Sequence, residues 1–147
     1  MGTRSTYRVI EQWQDSETKK IEGREICLIY VQYDGYPEGH PSEVAEWLSG
    51  GRVVNGLGAD SKESLVFNGA GCLAAQLIAK LKDGAGNVYM HTLSSRGNCC
   101  EDYLYDIIVT DYKGVEFVCH SNYGDEPEQI FRGTPQEFAD AYKSIEA

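Results

Sequence analysis

"YLYDIIVTDYKGVEFVCH", residues 103–120, decides the fold class. Strands are expected at 103–110 and 115–120, where β-branched and aromatic side chains dominate, with Asp111-Tyr112-Lys113-Gly114 joining them. Working outward, a further strand is read at 87–93 and a short one at 129–132. Beyond these, Thr134, Pro135 and Glu137 spell a helix start: a capping hydroxyl, a proline at the first position and the acid of a Thr-x-x-Glu box. The helix should run over 134–146, with Phe138, Ala141, Tyr142 and Ile145 as its apolar face.

Toward the N-terminus, residues 72–82 place Leu73, Leu77, Ile78 and Leu81 on one helical stripe, and Gly84 stops it. A shorter helix precedes it. Pro41 suits its first turn, Val44, Trp47 and Leu48 share one face, and Gly50-Gly51 end it. The chain opens with strands at 3–13 and 24–33, a long hairpin around the charged segment Asp15 to Gly23. The order β-β-α-α-β-β-β-α implies one α+β domain, a mainly antiparallel sheet with about three helices packed against it. A chain of 147 residues without repeats suits a single core.

Composition removes several functions. With 41% hydrophobic and 11% aromatic residues the chain need not fold on a partner. Thirteen basic against 23 acidic residues, net charge -10, disfavour a nucleic-acid polymer, which requires a basic face. A small anion held by a few local donors stays open. The apolar stretches are too short to cross a membrane. The five cysteines are odd in number, show no C-x2-C spacing and follow no signal peptide, so a reduced, cytoplasmic protein is expected. Residues 1–6 satisfy the myristoylation pattern M-G-x-x-x-[ST], but an N-terminal strand from Thr3 is the preferred reading. Neither a cofactor nor a metal is expected.

Three groups of residues can carry chemistry. Asn68, Gly69 and Gly71 precede the 72–82 helix, where free N–H groups can hold a phosphate or carboxylate; a turn that needs glycine explains them equally well. Cys72 at the same helix start would be a nucleophile only with a base nearby, and a structural thiol is the default. Glu101-Asp102 and Asp125 to Glu128 read as solvated surface. The third group is aromatic. The strand that ends in "VQYDGYPEGHP", residues 31–41, puts Tyr33 and Tyr36 at a turn with Asp34 and His40, and Trp47 follows. Rings of this kind stack on bases, and a carboxylate accepts from the ring N–H and amine of guanine. Arg4 and Arg8 share a face of the first strand and suit phosphates. The rival reading has Tyr33 and Trp47 as core and both arginines as plain surface.

"GTRS" at 2–5, "YDGYPEGH" at 33–40, Asn55-Gly56, "NGAGCLAAQLIAKLK" at 68–82 and "RGNCCEDYLYDI" at 96–107 together resemble a family of short proteins common in tailed-phage genomes. The likeness covers most of the chain except its last third, and departs from it at Pro41, where many members carry glycine. It implies a phage or prophage origin and supplies no catalytic residue. Small acidic phage proteins of this size resemble counter-defence factors, among them sponges, oligomers that sequester a cyclic-nucleotide or ADP-ribose-derived messenger of bacterial immunity. Three functions follow as expectations. The first is a non-catalytic, homo-oligomeric binder of a small nucleotide in the host cytoplasm, using Arg4, Arg8, Tyr33, Asp34, Tyr36, His40, Trp47, Asn68, Gly69 and Gly71. The second is an acidic inhibitor or DNA mimic acting on a host defence protein. The third is a small nucleotide hydrolase or cysteine enzyme.

Overall fold

The computed structural model describes residues 2–57, 64–110 and 114–143. The elements are β1 (Ser5–Gln14), β2 (Ile21–Val31), α1 (His40–Ser49), β3 (Arg52–Val54), β4 (Val66–Asn68), α2 (Gly69–Leu81), β5 (Val88–His91), β6 (Tyr103–Thr110), β7 (Gly114–Ser121), β8 (Glu128–Gly133) and α3 (Pro135–Ala141). Six strands form one sheet in the order β5-β2-β1-β6-β7-β8, and β3 and β4 form a small parallel pair that the sequence did not announce. Within the large sheet only β1 and β6 run parallel; every other pairing is antiparallel. The fold is therefore α+β, as the element order implies. The Asp111-Tyr112-Lys113 link and Ile145 lie outside the described residues.

Register assigns each strand residue to a face. Tyr7 stands opposite Ile29 and Tyr105, and this row meets the helices. Arg8 stands opposite Leu28 and Asp106, so it belongs to the other face. On the helix side, Val44 and Leu48 of α1, Leu73 and Leu77 of α2 and Phe138 of α3 close the core over Val9, Ile107 and Phe117. Phe138 is fully buried, with ring centroids 4.5 Å from Phe117, 4.7 Å from Tyr142 and 5.0 Å from Phe131. Truncating it to alanine should cost about 3–5 kcal/mol.

The helix starts follow local rules. Thr134 accepts from the Glu137 N–H while the Glu137 carboxylate accepts from the Thr134 N–H, the complete capping box. Removing the Thr134 hydroxyl should cost about 1 kcal/mol. The apolar face of α3 differs from expectation at one position: Ala139 is buried and Ala141 exposed, because the helix ends at 141 before another turn can form. Helix α2 begins at Gly69, three residues earlier than its apolar stripe indicates, since glycines at 69 and 71 carry no side chain to register the periodicity.

Candidate functional site

After β2 the backbone must turn back toward α1 within a few residues. Tyr36-Pro37-Glu38-Gly39 closes as a β-turn, with proline at the second position, glycine at the fourth, and the Gly39 N–H donating to the Tyr36 carbonyl at 2.8 Å. Asp34 takes a left-handed conformation, φ 60°, which short polar side chains tolerate, and its carbonyl accepts from the His40 N–H at 3.2 Å. Gly35 has a different task from the turn-making one its place after Asp34 suggests. A Cβ there would sit 2.5 Å from Ser5 Oγ, and one on Gly39 would sit 2.2 Å from the Asp34 carbonyl oxygen. Both glycines permit close backbone approach.

Two core tyrosines pin this segment from below. Tyr105 Oη–H donates to the Gly35 carbonyl at 2.7 Å, and Tyr7 Oη lies 2.7 Å from His40 Nδ1. Burial raises both phenol pKa values well above the ordinary range, so the hydroxyls stay protonated. Tyr7 therefore donates to Nδ1, and the ring proton of neutral His40 resides on Nε2. Burial lowers His40 to about 4; the Tyr33 backbone carbonyl favours the charged ring, but Nε2 makes no well-formed bond and burial dominates. The N-terminal residues complete the anchorage. Gly35 N–H donates to the Thr3 carbonyl at 2.9 Å, and Gly2 packs so closely on Tyr33 that a Cβ would lie 2.3 Å from its Cδ1. Arg4 and Asp102 then exchange two bonds, Arg4 N–H to Asp102 Oδ2 at 3.0 Å and Asp102 N–H to the Arg4 carbonyl at 2.8 Å. The "GTRS", "YDGYPEGH" and "RGNCCEDYLYDI" segments thus form one joined unit.

A cavity of about 530 Å³ opens beside the turn. Tyr33, Asp34, Tyr36 and His40 line it from the turn, Glu38 and Glu43 add two more carboxylates, and Lys80 and Asn87 close it from the end of α2 and the start of β5. Asn87 ties the far wall to the turn, its backbone carbonyl accepting from Gln32 N–H at 2.8 Å and its Oδ1 from Tyr33 N–H at 3.1 Å. Tyr33 and Tyr36 are 49% and 41% exposed. Volume does not single this cavity out, because another of about 530 Å³ lies by Leu48, Val53, Val115 and Pro135. Its chemistry does: exposed rings, carboxylates and a neutral imidazole share one wall.

The remaining expected site residues are elsewhere. Arg8 is on the opposite face, where Nε and Nη2 grip Asp106 at 2.8 and 2.9 Å and Nη1 meets Glu25 at 3.0 Å. Burial works against its charge, and those partners more than restore it, so its pKa is raised. Arg4 shares that face, near the Tyr30 hydroxyl. Trp47 packs its edge on Phe67, ring centroids 5.2 Å apart, and does not line the cavity. Asn68, Gly69 and Gly71 sit at the start of α2, about 14–18 Å along the helix axis from Lys80. There Asn68 Oδ1 accepts from the Gly56 N–H at 2.8 Å, closing the helix start on the Asn55-Gly56 turn. Cys72 donates to Gln76 at 3.1 Å, and no histidine bonds to it.

Glu101 also departs from the sequence reading. It is 2% exposed, accepting from Thr6 Oγ1 at 3.1 Å and from the Gly97 and Cys99 N–H groups at 2.8 and 2.9 Å. Burial raises its pKa, but those N–H donors outweigh it and the net shift is downward. It knots the 96–101 loop onto the sheet. Glu38, Glu43, Lys80 and Asn87 are the cavity residues that sequence reasoning missed. Glu38 stood inside the quoted turn, and Glu43 is one helical turn from His40; these were the available signals.

Among the described residues, no His, Cys, Asp or Glu cluster has the arrangement of a metal site, and no helix is long and apolar enough to cross a membrane. No family model matches the chain, and the comparisons found no matching curated protein or solved structure.

Proposed function

We propose that this protein binds a small nucleotide without transforming it, and that it sequesters a messenger of bacterial immunity in the cavity beside the 33–40 turn. The observation that carries this reading is the pairing of Tyr33 and Tyr36, exposed rings on the cavity wall, with a backbone fixed from beneath by Tyr7 and Tyr105. Exposed rings on a rigid support form a stacking surface that needs no ordering when a base arrives. Stacking contributes about 1–3 kcal/mol per base. Asp34 and the neutral His40 ring flank that surface. Arg8 is committed to Asp106 and Glu25, and neither Arg4 nor Arg8 lines the cavity, so ring recognition dominates over phosphate recognition.

The reading includes a homo-oligomer acting in the host cytoplasm. Tyr89 and Met90 belong to the edge strand β5, stand on its opposite faces and are 46% and 57% exposed, leaving apolar surface at that sheet edge that a second copy would cover. Light scattering at micromolar protein should show a dimer or larger; a clean monomer with and without ligand contradicts that part.

The test of the function is incubation with a panel of cyclic di- and trinucleotides and ADP-ribose derivatives, followed by removal of free ligand and heat release. Recovery of an intact nucleotide is expected. Recovery of a hydrolysed one points to an enzyme, and no retention at all contradicts the proposal.

A further inference from the structure

Resting on the nucleotide-binding reading, we infer that the cavity selects a ring with a pair of N–H donors on one edge, the guanine pattern, and disfavours a terminal triphosphate. Asp34, Glu38 and Glu43 all line the cavity, and none of their carboxylates has a hydrogen bond or ion pair with another described residue. Elsewhere in the molecule, acids that the fold uses are satisfied: Asp106 accepts from two arginines and Glu101 from a hydroxyl and two backbone N–H groups. The cavity acids are thus free to accept from a ligand. An ionised carboxylate accepts and never donates, so it matches the ring N–H and exocyclic amine of guanine side by side. Adenine would turn a ring-nitrogen lone pair toward the same oxygens, and inosine lacks the amine.

The charge balance sets the second half of the inference. Among the described residues, Lys80 is the one cation lining this cavity, against three acids, and its Nζ lies 5.6 Å over the Trp47 ring centroid. His40 adds no charge near neutral pH. A triphosphate would bring several negative charges to a wall already net negative, within one Debye length of about 8 Å at physiological salt. This predicts an unusual salt response. Binding of a phosphate-rich guanine nucleotide should strengthen as salt is added, whereas sites built on phosphate contacts weaken.

Titration calorimetry of the full chain with guanosine, inosine, adenosine, guanosine triphosphate and agmatine tests this. Guanosine should bind roughly tenfold or more tightly than inosine or adenosine, as hydrogen bonds to a charged acceptor provide. Guanosine triphosphate should bind more weakly than guanosine, with the gap narrowing at high salt. Asp34→Asn and Glu43→Gln, both exposed substitutions, should keep the melting temperature, and at least one should flatten the preference. Equal binding of adenosine and guanosine, or triphosphate binding that weakens with salt, overturns the inference and leaves the stacking site standing. Agmatine binding without guanosine, or no binding by any ring compound, overturns the nucleotide reading itself.

Discussion

At the centre of the sheet the Asp106 carboxylate accepts three N–H bonds from Arg8 and Arg96; beside the 33–40 turn the Asp34, Glu38 and Glu43 carboxylates accept none from the described residues. Asp106 is 4% exposed, and its partners' side chains are only 22% and 18% exposed. A charge out of water must be paired, and this one is. The turn acids line an open cavity, where water satisfies them until something displaces it. The same residue type holds the fold on one face and stands ready for a ligand beside the other. What separates them is whether the fold supplied a partner.

That contrast can be broken from either side. Asp106→Ala should have the largest effect, about 3–5 kcal/mol of stability by denaturant unfolding, because it leaves two guanidinium groups with a shared buried acceptor removed. Ligand binding per folded molecule should be unchanged. A loss below about 1 kcal/mol would mean that water replaces the carboxylate and the network is not structural.

Acid should come next. His40 titrates at about 4 in the folded protein against 6.5 for the free side chain, so the unfolded chain binds more protons between those values. Its contribution is complete above pH 6.5 and disappears as pH falls through 4. Linkage puts the loss at about 3 kcal/mol. His120 is shifted in the same direction, by burial and then by Arg96, Arg8 and Arg132 against the opposing pull of Asp106, so wild type alone cannot apportion the effect. Comparing wild type with His40→Gln across pH 4–7 isolates the His40 share; identical slopes would refute the buried neutral imidazole.

Tyr105→Phe removes the bond to the Gly35 carbonyl and should cost about 1–1.5 kcal/mol, with faster amide exchange at residues 34–40. Protection unchanged there would show that the turn does not depend on its anchor. Smallest of all, Asp34→Asn should stay within about 0.5 kcal/mol of wild type, as a surface change away from any native partner. A larger loss would show that the carboxylate has a structural role after all.

Much of this was legible in the sequence. The Thr134 capping box, the α2 stripe and the hairpin strands depend on neighbours a few residues away, and they appear where the local pattern puts them. The turn residues Tyr33, Asp34, Tyr36 and His40 were also readable together because one short segment carries all four. The arginines were not. A period of two says that Arg4 and Arg8 share a face, but which face follows from the pairing of β1 with β6, almost a hundred residues away along the chain. Asn68 and Lys80 are separated for a related reason: Asn68 precedes the first residue of α2 and Lys80 lies in its last turn, and helix length sends the two ends to different places. Lys80 and Asn87 enter the cavity only through tertiary packing, for which adjacent residues give no signal.

The central claim is that Tyr36 is exposed to hold a ligand and not to stabilise the turn. Tyr36→Ala is its most direct test, measured by thermal unfolding and by titration with the nucleotide recovered from the heat-release experiment. The melting temperature should stay within a degree or two of wild type, while affinity falls by roughly tenfold or more, the equivalent of one lost stacking ring. A variant that melts several degrees lower yet binds as tightly per folded molecule would contradict the claim and return Tyr36 to the core.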